Sequence, residues 1–470
     1  MSIRNLDLLL EPKSIVVVGA SDRVGSVGAT VWRNLRPALF AGPIYAVNPR
    51  HSILEGISVY ARPVDLLQVP DLAVMCTPAA TVAALIDELG RLGTRAAIVM
   101  TAGTSAAQKQ ATLDAARSHL LRVLGPNCLK LLTPHPRLNA SFAHTDALPG
   151  EVAFVSQSGA LVTAVLGWAK SCRIGFSHMV SLGERADVDF CDLLDYLASD
   201  ARTWPILLYI ELIEAPRKFM SAARAAARNK PVIVVKAKRA GNGLKAAASH
   251  TGALAGSDLV FDAAIRRAGM LRVDTLQDLF MATETLARFG GNRDETLTLM
   301  TNGGGTGVMA ADAAAAARIA LPELNESLRN KLATMLPPTW SRANPINIIG
   351  DAPVKRYTDT LHALLADRGS GAVLFLHAPT ANVRSDDIAR ACVPIARLAP
   401  GRMMACWLGD AAVAEARVFS QTPAFRTTPL PRKRCALLQC SRPIAATSCC
   451  FSKCRQPART NYPTLLRPGP

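Results

Sequence analysis

The chain has 470 residues, 50% of them hydrophobic and only 5% aromatic, with a formal net charge of +17. That length allows two to four domains with cores of their own; no apolar run is long enough to span a bilayer and the first eleven residues lack the apolar core of a cleavable signal, so a cytoplasmic chain without membrane partners is expected. The charge does not point to nucleic acid, because residues 422–470 carry nine Lys or Arg and no acid, the remainder is only +8, and no basic stripe is interleaved with aromatics.

In chain order, residues 14–19 are an apolar run into a Gly-containing turn and read as a buried strand. Residues 44–47, 72–76, 96–100 and 122–124 read as further strands, separated by helical stretches that include 80–92 and 106–118. A doubly wound parallel sheet is predicted. The first strand runs into Gly19-Ala20-Ser21, with Gly25 and Gly28 following, and backbone N–H groups there can cradle a phosphate at a helix N-terminus. Ser21 stands where a dinucleotide fingerprint needs its second glycine. The next strand ends in Asn48-Pro49-Arg50, with no carboxylate for a ribose. A nicotinamide-dependent oxidoreductase is therefore disfavoured, and a plain strand–helix turn stays open as the alternative. Cys76-Thr77-Pro78 and Gly125-Pro126-Asn127-Cys128 end later strands, on the edge where this architecture binds ligands, although turn chemistry alone also accounts for them. No His pairs with Cys128 in sequence, so it reads as a small buried residue.

Residues 134–150 read as a linker into a second unit, with strands at 152–155, 206–210 and 231–236 and helices at 189–198 and 216–227. A third unit starts at 296–301 and has strands at 372–376 and 403–407. Units two and three open alike. Ser156-Gln157-Ser158-Gly159 and Asn302-Gly303-Gly304-Gly305 both follow a strand and start a helix, each presenting N–H groups and a positive helix end to an anion; plain tight turns are the alternative, although three glycines in succession exceed what a turn requires. Two flavodoxin-like domains with equivalent first loops are predicted.

His250 sits among small residues in Ser249-His250-Thr251-Gly252-Ala253-Leu254-Ala255-Gly256, with no second histidine nearby. That setting is poor for a metal and suits a ring that another group must reach. If functional, it is a nucleophile carrying a phosphoryl group; a structural histidine is the alternative. Glu211 ends a strand at the same edge, where a carboxylate can hydrogen-bond one ring nitrogen and leave the other to attack; a solvated strand-end Glu is the alternative. The five tail cysteines match no zinc spacing, so no metal site is expected. The tail itself reads either as a disordered basic extension or, preferably, as coding sequence that has left its reading frame.

Taken in order, these motifs resemble the NDP-forming acyl-CoA synthetases, relatives of the succinyl-CoA synthetase α-subunit. The resemblance runs from about Leu6 to about Phe425. It is carried by Gly19-Ala20-Ser21, Cys76-Thr77-Pro78, Gly125-Pro126-Asn127-Cys128-Leu129, Ser156-Gln157-Ser158-Gly159, Tyr209-Ile210-Glu211, Ser249-His250-Thr251-Gly252, Thr301-Asn302-Gly303-Gly304-Gly305 and Asn344-Pro345-Ile346. It implies an α/β chain with a Rossmann-like CoA-binding domain (1–145) and two flavodoxin-like ligase domains (150–290 and 294–421), all with parallel sheets, followed by an aberrant tail (422–470). It also implies a relay. Acyl-CoA and phosphate give an acyl phosphate, His250 takes the phosphoryl group with Glu211 beside it, and ADP receives it on an ATP-grasp domain that also binds Mg2+. The implied CoA-binding residues are Gly19, Ala20, Ser21, Gly25, Gly28, Asn48, Thr77, Pro78 and Asn127. The implied phosphate-binding residues are Ser156, Gln157, Ser158, Gly159, Asn302, Gly303, Gly304 and Gly305.

Nothing in residues 422–470 supplies the ATP-grasp domain, so an ATP-grasp β-subunit or fused domain is the expected partner, in an oligomer acting on a small carboxylic acid. Lys130 replaces a glycine usual in the family, Glu184 an Asn, and Asn347 an Asp. Phrasing at 207–211 and 217–224 is similar to a bacterial branch fused to a GNAT-type protein lysine acetyltransferase. A CoA- or acyl-CoA-sensing part of such a protein, truncated, is the competing reading.

Overall fold

The computed structural model describes residues 3–36, 40–237, 257–289, 296–409 and 411–420. His250 and residues 422–470 lie outside that set.

The strands form three sheets; in the first and third the chain starts in the interior, adds strands on one side and then crosses to the other, and in the second it starts with a hairpin at one edge before doing the same from the strand Pro149–Ser156. The first sheet holds β1 (Ile15–Val18), β2 (Ile44–Val47), β3 (Ile53–Leu54), β4 (Ile57–Tyr60), β5 (Leu72–Met75), β6 (Ala96–Val99) and β7 (Arg122–Leu124), in the order β3-β4-β2-β1-β5-β6-β7. All pairs are parallel except β3 with β4. Every residue of β1, β5 and β6 is buried, which is why these strands read as unbroken aliphatic runs. The helices Val27–Leu35, Ala79–Leu92 and Ala106–Ser118 connect them.

The second sheet takes β8 (Lys130–Thr133), β9 (Leu138–Ser141), β10 (Pro149–Ser156), β11 (Phe176–Ser181), β12 (Ile206–Ile210), β13 (Val232–Lys236) and β14 (Leu271–Val273), in the order β14-β13-β12-β10-β11-β8-β9. Strand β8 is antiparallel to β11. The stretch 134–150 is therefore not a plain linker. It contains β9, and the hairpin β8–β9, inside the 1–145 unit expected from sequence, hydrogen-bonds to the second sheet. The third sheet is β16 (Ile346–Asn347), β15 (Leu297–Thr301), β17 (Ala372–His377) and β18 (Met403–Trp407), in that order and all parallel.

The first two units are stitched together along the ends of their strands. Ala186 N–H donates to Gly125 O at 2.9 Å, Glu184 N–H to Pro126 O at 2.8 Å and Val188 N–H to Val123 O at 3.1 Å. Asp187 accepts from Arg122 Nε and Val123 N–H, both at 2.9 Å. A continuous buried cluster runs from Leu6 and Ile15 through Leu124 and Leu131 to Val155, Ile210 and Met270. The seam brings the C-terminal edges of the two sheets side by side.

One core histidine makes the third unit acid-sensitive. His377 is fully buried at the end of β17, its Nε2 3.0 Å from Ser385 Oγ and its ring against Phe375 and Trp407. Burial pushes its pKa down to about 4 from the usual 6.5. The unfolded chain thus binds the extra proton between those values, and stability falls as pH drops from about 6.5 to about 4, by about 3 kcal/mol. Urea unfolding followed by tryptophan fluorescence at pH 7 and pH 4.5, with Trp340 and Trp407 both in this unit's core, checks this, and His377→Phe flattens the dependence.

Candidate functional site

Each sheet places a glycine-containing loop at its switch point, where ligands bind in open parallel sheets. In the first sheet that point lies between β1 and β5. Gly19 leaves β1 at φ +90° with its carbonyl against the following helix, and a Cβ on Gly28 would lie 2.1 Å from Gly19 O. Only glycine at 28 lets the helix come so close to the strand end. Ser26 caps that helix by accepting from Ala29 N–H at 3.1 Å.

A cleft of about 1400 Å³ opens above this turn. Of the residues singled out in the sequence, Gly19, Ser21, Gly25, Gly28, Asn48, Thr77 and Pro78 line it. Two expected residues stand elsewhere. Ala20 is fully buried behind the loop, where its carbonyl accepts from Asn48 Nδ2 at 2.7 Å. Asn127 lies in the seam at φ 57°, its N–H donating to Thr101 O at 2.9 Å, and is not part of the cleft wall. Thr77 Oγ1 is buried without a hydrogen-bond partner, an orphaned group that a ligand in the cleft can satisfy. Arg23, Arg50 and Arg62 stand on the wall as cations; Arg62 pairs with Glu88 at 3.2 Å. Cys76 also lines the cleft, but burial pushes its thiol up to about 12, so it is not a thiolate nucleophile.

Sequence reasoning missed the far wall. Met100, Leu129 and Phe142 make it apolar, and the last two come from the chain that crosses to the second sheet. Leu129 packs so tightly on the second unit that a Cβ on Gly159 would lie 2.4 Å from Leu129 Cδ1. The cleft therefore ends against the loop at the second switch point, between β10 and β12.

That loop is built from side chains turned inward. Ser156 Oγ accepts from Ser158 N–H at 3.0 Å and donates to Ser158 O at 2.8 Å. Ser158 caps the helix Gly159–Ser171. Gly159 and Ala160 thus begin a helix whose first N–H groups have no intrahelical acceptor. Gln157 takes a part that sequence reasoning did not assign. Its Nε2 donates to Leu212 O at 2.9 Å, and its Oε1 accepts from Leu212 N–H at 3.0 Å and from Glu211 N–H. Its own N–H donates to Tyr209 O at 3.2 Å. Gln157 is thus a clamp holding the loop that carries Glu211. Arg185, also unanticipated, donates to Leu212 O at 2.7 Å and pairs with Glu214 at 2.8 Å.

The third switch point, between β15 and β17, repeats the arrangement. Thr301 Oγ1 accepts from Gly303 N–H at 3.0 Å, as Ser156 does from Ser158. Asn302 Nδ2 donates to Ala378 O at 2.8 Å and its Oδ1 accepts from Ala378 N–H at 2.9 Å, as Gln157 clamps Leu212. The equivalence seen in the sequence is thus one of hydrogen bonds as well as order. Gly303, Gly304 and Gly305 keep negative or unexceptional φ, and added Cβ atoms there would meet nothing nearer than 3.3 Å. The turn itself does not need three glycines; bare backbone leaves room for a ligand to approach. Among the described residues no cluster of His, Cys, Asp or Glu could hold a metal ion, and no helix is long and apolar enough to cross a membrane.

Three domain families match the chain. They are a CoA binding domain over residues 13–134, a succinyl-CoA ligase like flavodoxin domain over 149–286 and a ligase-CoA domain over 297–382. The ADP-forming acetate–CoA ligase I of Archaeoglobus fulgidus is 38% identical over 80% of this chain and 56% of its own length. The alpha subunit of the ADP-forming acetate–CoA ligase I of Pyrococcus furiosus is 36% identical over 80% of this chain and 84% of its own. The chain therefore spans little more than half of the first of these relatives and most of the second. Among solved structures, the dinucleotide forming acetyl-coenzyme A synthetase 1 of Ca. Korarchaeum cryptofilum, in complex with phosphate and ADP, superposes with a TM-score of 0.90 at 34% identity, over 96% of this chain and 99% of that one.

Proposed function

The chain belongs to the NDP-forming acyl-CoA synthetase family, in its α-subunit-like form, and from that premise we propose that it interconverts acyl-CoA and phosphate with acid and CoA, passing the phosphoryl group through His250 to ADP on an ATP-grasp partner. The observation that carries the reading is the junction of the two sites. The cleft over Gly19 and Thr77 ends at Leu129, and Leu129 lies against Gly159 at the start of the anion-ready loop. A thioester at the end of the cleft would face phosphate held by the first N–H groups of that helix. Attack of a phosphate oxygen on the thioester carbonyl breaks the C–S bond, releases CoA thiolate and leaves an acyl phosphate. Paired dipoles and fixed positioning suit such a transfer. The loop Asn302–Gly305, with Gly304 and Gly305 at its helix start, would hold the phosphoryl group a second time along the relay.

In this reading Glu211 orients His250, and Gln157 keeps Glu211 in place. CoA contacts fall to Gly19, Ser21, Gly25, Gly28, Asn48, Thr77 and Pro78; Ala20 and Asn127 act through the shape of the loop and seam. The division into units at 1–145, 150–290 and 294–421 serves the same sequence of events, with the hairpin β8–β9 joining the first two. ADP or ATP and Mg2+ belong to the partner, in a cytoplasmic oligomer acting on a small carboxylic acid.

Mixing the chain with an ATP-grasp subunit of the family and γ-32P-ATP should give acid-labile, base-stable label on this chain. His250→Ala should remove it while the complex still forms. No label on a folded complex would sink the relay. The sensing reading, in which the chain is part of a protein lysine acetyltransferase, rests on the local phrasing at 207–211 and 217–224. It expects the opposite outcome: tight CoA binding and no label.

A further inference from the structure

Lys130 stands where the resemblance read from the sequence leads one to expect glycine, and its surroundings are unusual for a lysine. It is only 3% exposed, on the first residue of β8. Its Nζ donates to Gly159 O at 2.8 Å and to Thr163 Oγ1, both in the first turns of the helix that starts the phosphate loop. Its third side faces the ring of Phe142, 5.4 Å from the centroid, on the apolar wall of the cleft.

What it lacks is a counter-charge. Among the described residues no carboxylate makes an ion pair with it, and burial pulls its pKa down. Its titratable neighbour Cys128 stays a neutral thiol, pushed up to about 12 by burial. A cation beside the positive end of a helix opposes the helix dipole, and buried lysines are almost always paired. Carbonyl and hydroxyl dipoles satisfy its hydrogen bonds but do not neutralise its charge. Dipole and ammonium together make the start of this helix more positive than the helix alone, with the ammonium buried behind a helix start that itself reaches solvent at Ala160.

We infer that Lys130 is a positioning residue whose charge, set behind the first turn of the Gly159–Ser171 helix, strengthens the hold of that helix start on a dianionic phosphate. The inference rests on the proposed function, because it needs phosphate to bind there. The bound anion then supplies the counter-charge that the protein omits. Lys130 would not touch the reacting atoms; it acts through the helix.

The test titrates the full chain separately with inorganic phosphate, followed by 31P NMR in the presence of CoA, and with CoA by calorimetry. Lys130→Met and Lys130→Gln remove the charge, the second keeping a hydrogen-bond donor; Lys130→Arg keeps the charge. Both neutral variants should weaken phosphate about tenfold and leave CoA affinity within about twofold, with Arg restoring phosphate binding. Unchanged phosphate affinity in a neutral variant, or equal losses for phosphate and CoA that Arg does not rescue, overturns the inference and makes Lys130 a structural weld. Wild-type chain that binds CoA but no phosphate overturns it while the CoA site stands. Wild-type chain that binds neither overturns the functional reading with it.

Discussion

Gly28→Ala should abolish CoA binding and lower stability by about 3–4 kcal/mol, although it adds one methyl group. The added Cβ would lie 2.1 Å from Gly19 O and 3.2 Å from the carbon of the same carbonyl. That neighbour is backbone, so it cannot turn aside as a side chain can. Gly19 cannot retreat either, because a Cβ-sized shift on its far side meets Cys76 O, the end of the adjacent strand. The helix Val27–Leu35 must therefore move off the sheet, and it carries Val31, Trp32 and Leu35, all essentially fully buried, with it. Calorimetric CoA titration and thermal unfolding measure the two effects. A variant that binds CoA normally would mean that the turn over Gly19 does not form the floor of the binding cleft.

The contrast between this turn and the hairpin β8–β9 explains what the sequence could reveal. Strands β1, β5 and β6 are buried on both faces, so their residues are aliphatic throughout and declare themselves. The hairpin is buried too, yet its core includes Lys130, Thr133, Asn139 and Ser141. Two of these groups are satisfied within the hairpin: Ser141 Oγ donates to Asn139 Oδ1 at 2.5 Å and accepts from Ala143 N–H at 3.1 Å. Polar residues followed by turn-forming ones look like a linker, so the crossing into the second sheet was invisible. With it went the apolar wall of Leu129 and Phe142. The glycine loops were legible because a strand, a small polar pair and a helix start are contiguous in the chain. The destination of the Gln157 amide was not, since Glu211 and Leu212 lie more than fifty residues downstream.

That long-range clamp carries the second large effect. Gln157→Leu keeps the volume and removes three hydrogen bonds at once, leaving the N–H groups of Glu211 and Leu212 without their acceptor. Leu212 O keeps Arg185 as a donor, and the loop is only partly buried, so water can reach some of what is lost. The stability cost should stay near 1–3 kcal/mol. The functional cost should be larger. Glu211 sits on the released loop, and a displacement of about 1 Å in a group that orients a nucleophile costs about a hundredfold in rate. Phosphoryl labelling with an ATP-grasp partner should fall by that factor while CoA affinity holds, because no cleft residue depends on Leu212. Asn302→Leu is the matched comparison, since its amide clamps Ala378 in the same way on the third sheet. If the two loops act at successive stages of one relay, Gln157→Leu stops label from arriving, and Asn302→Leu alters its exchange with ADP. Equal rates of labelling in Gln157→Leu and wild type would show that Glu211 needs no fixed position. His250 would then have to be oriented by another group.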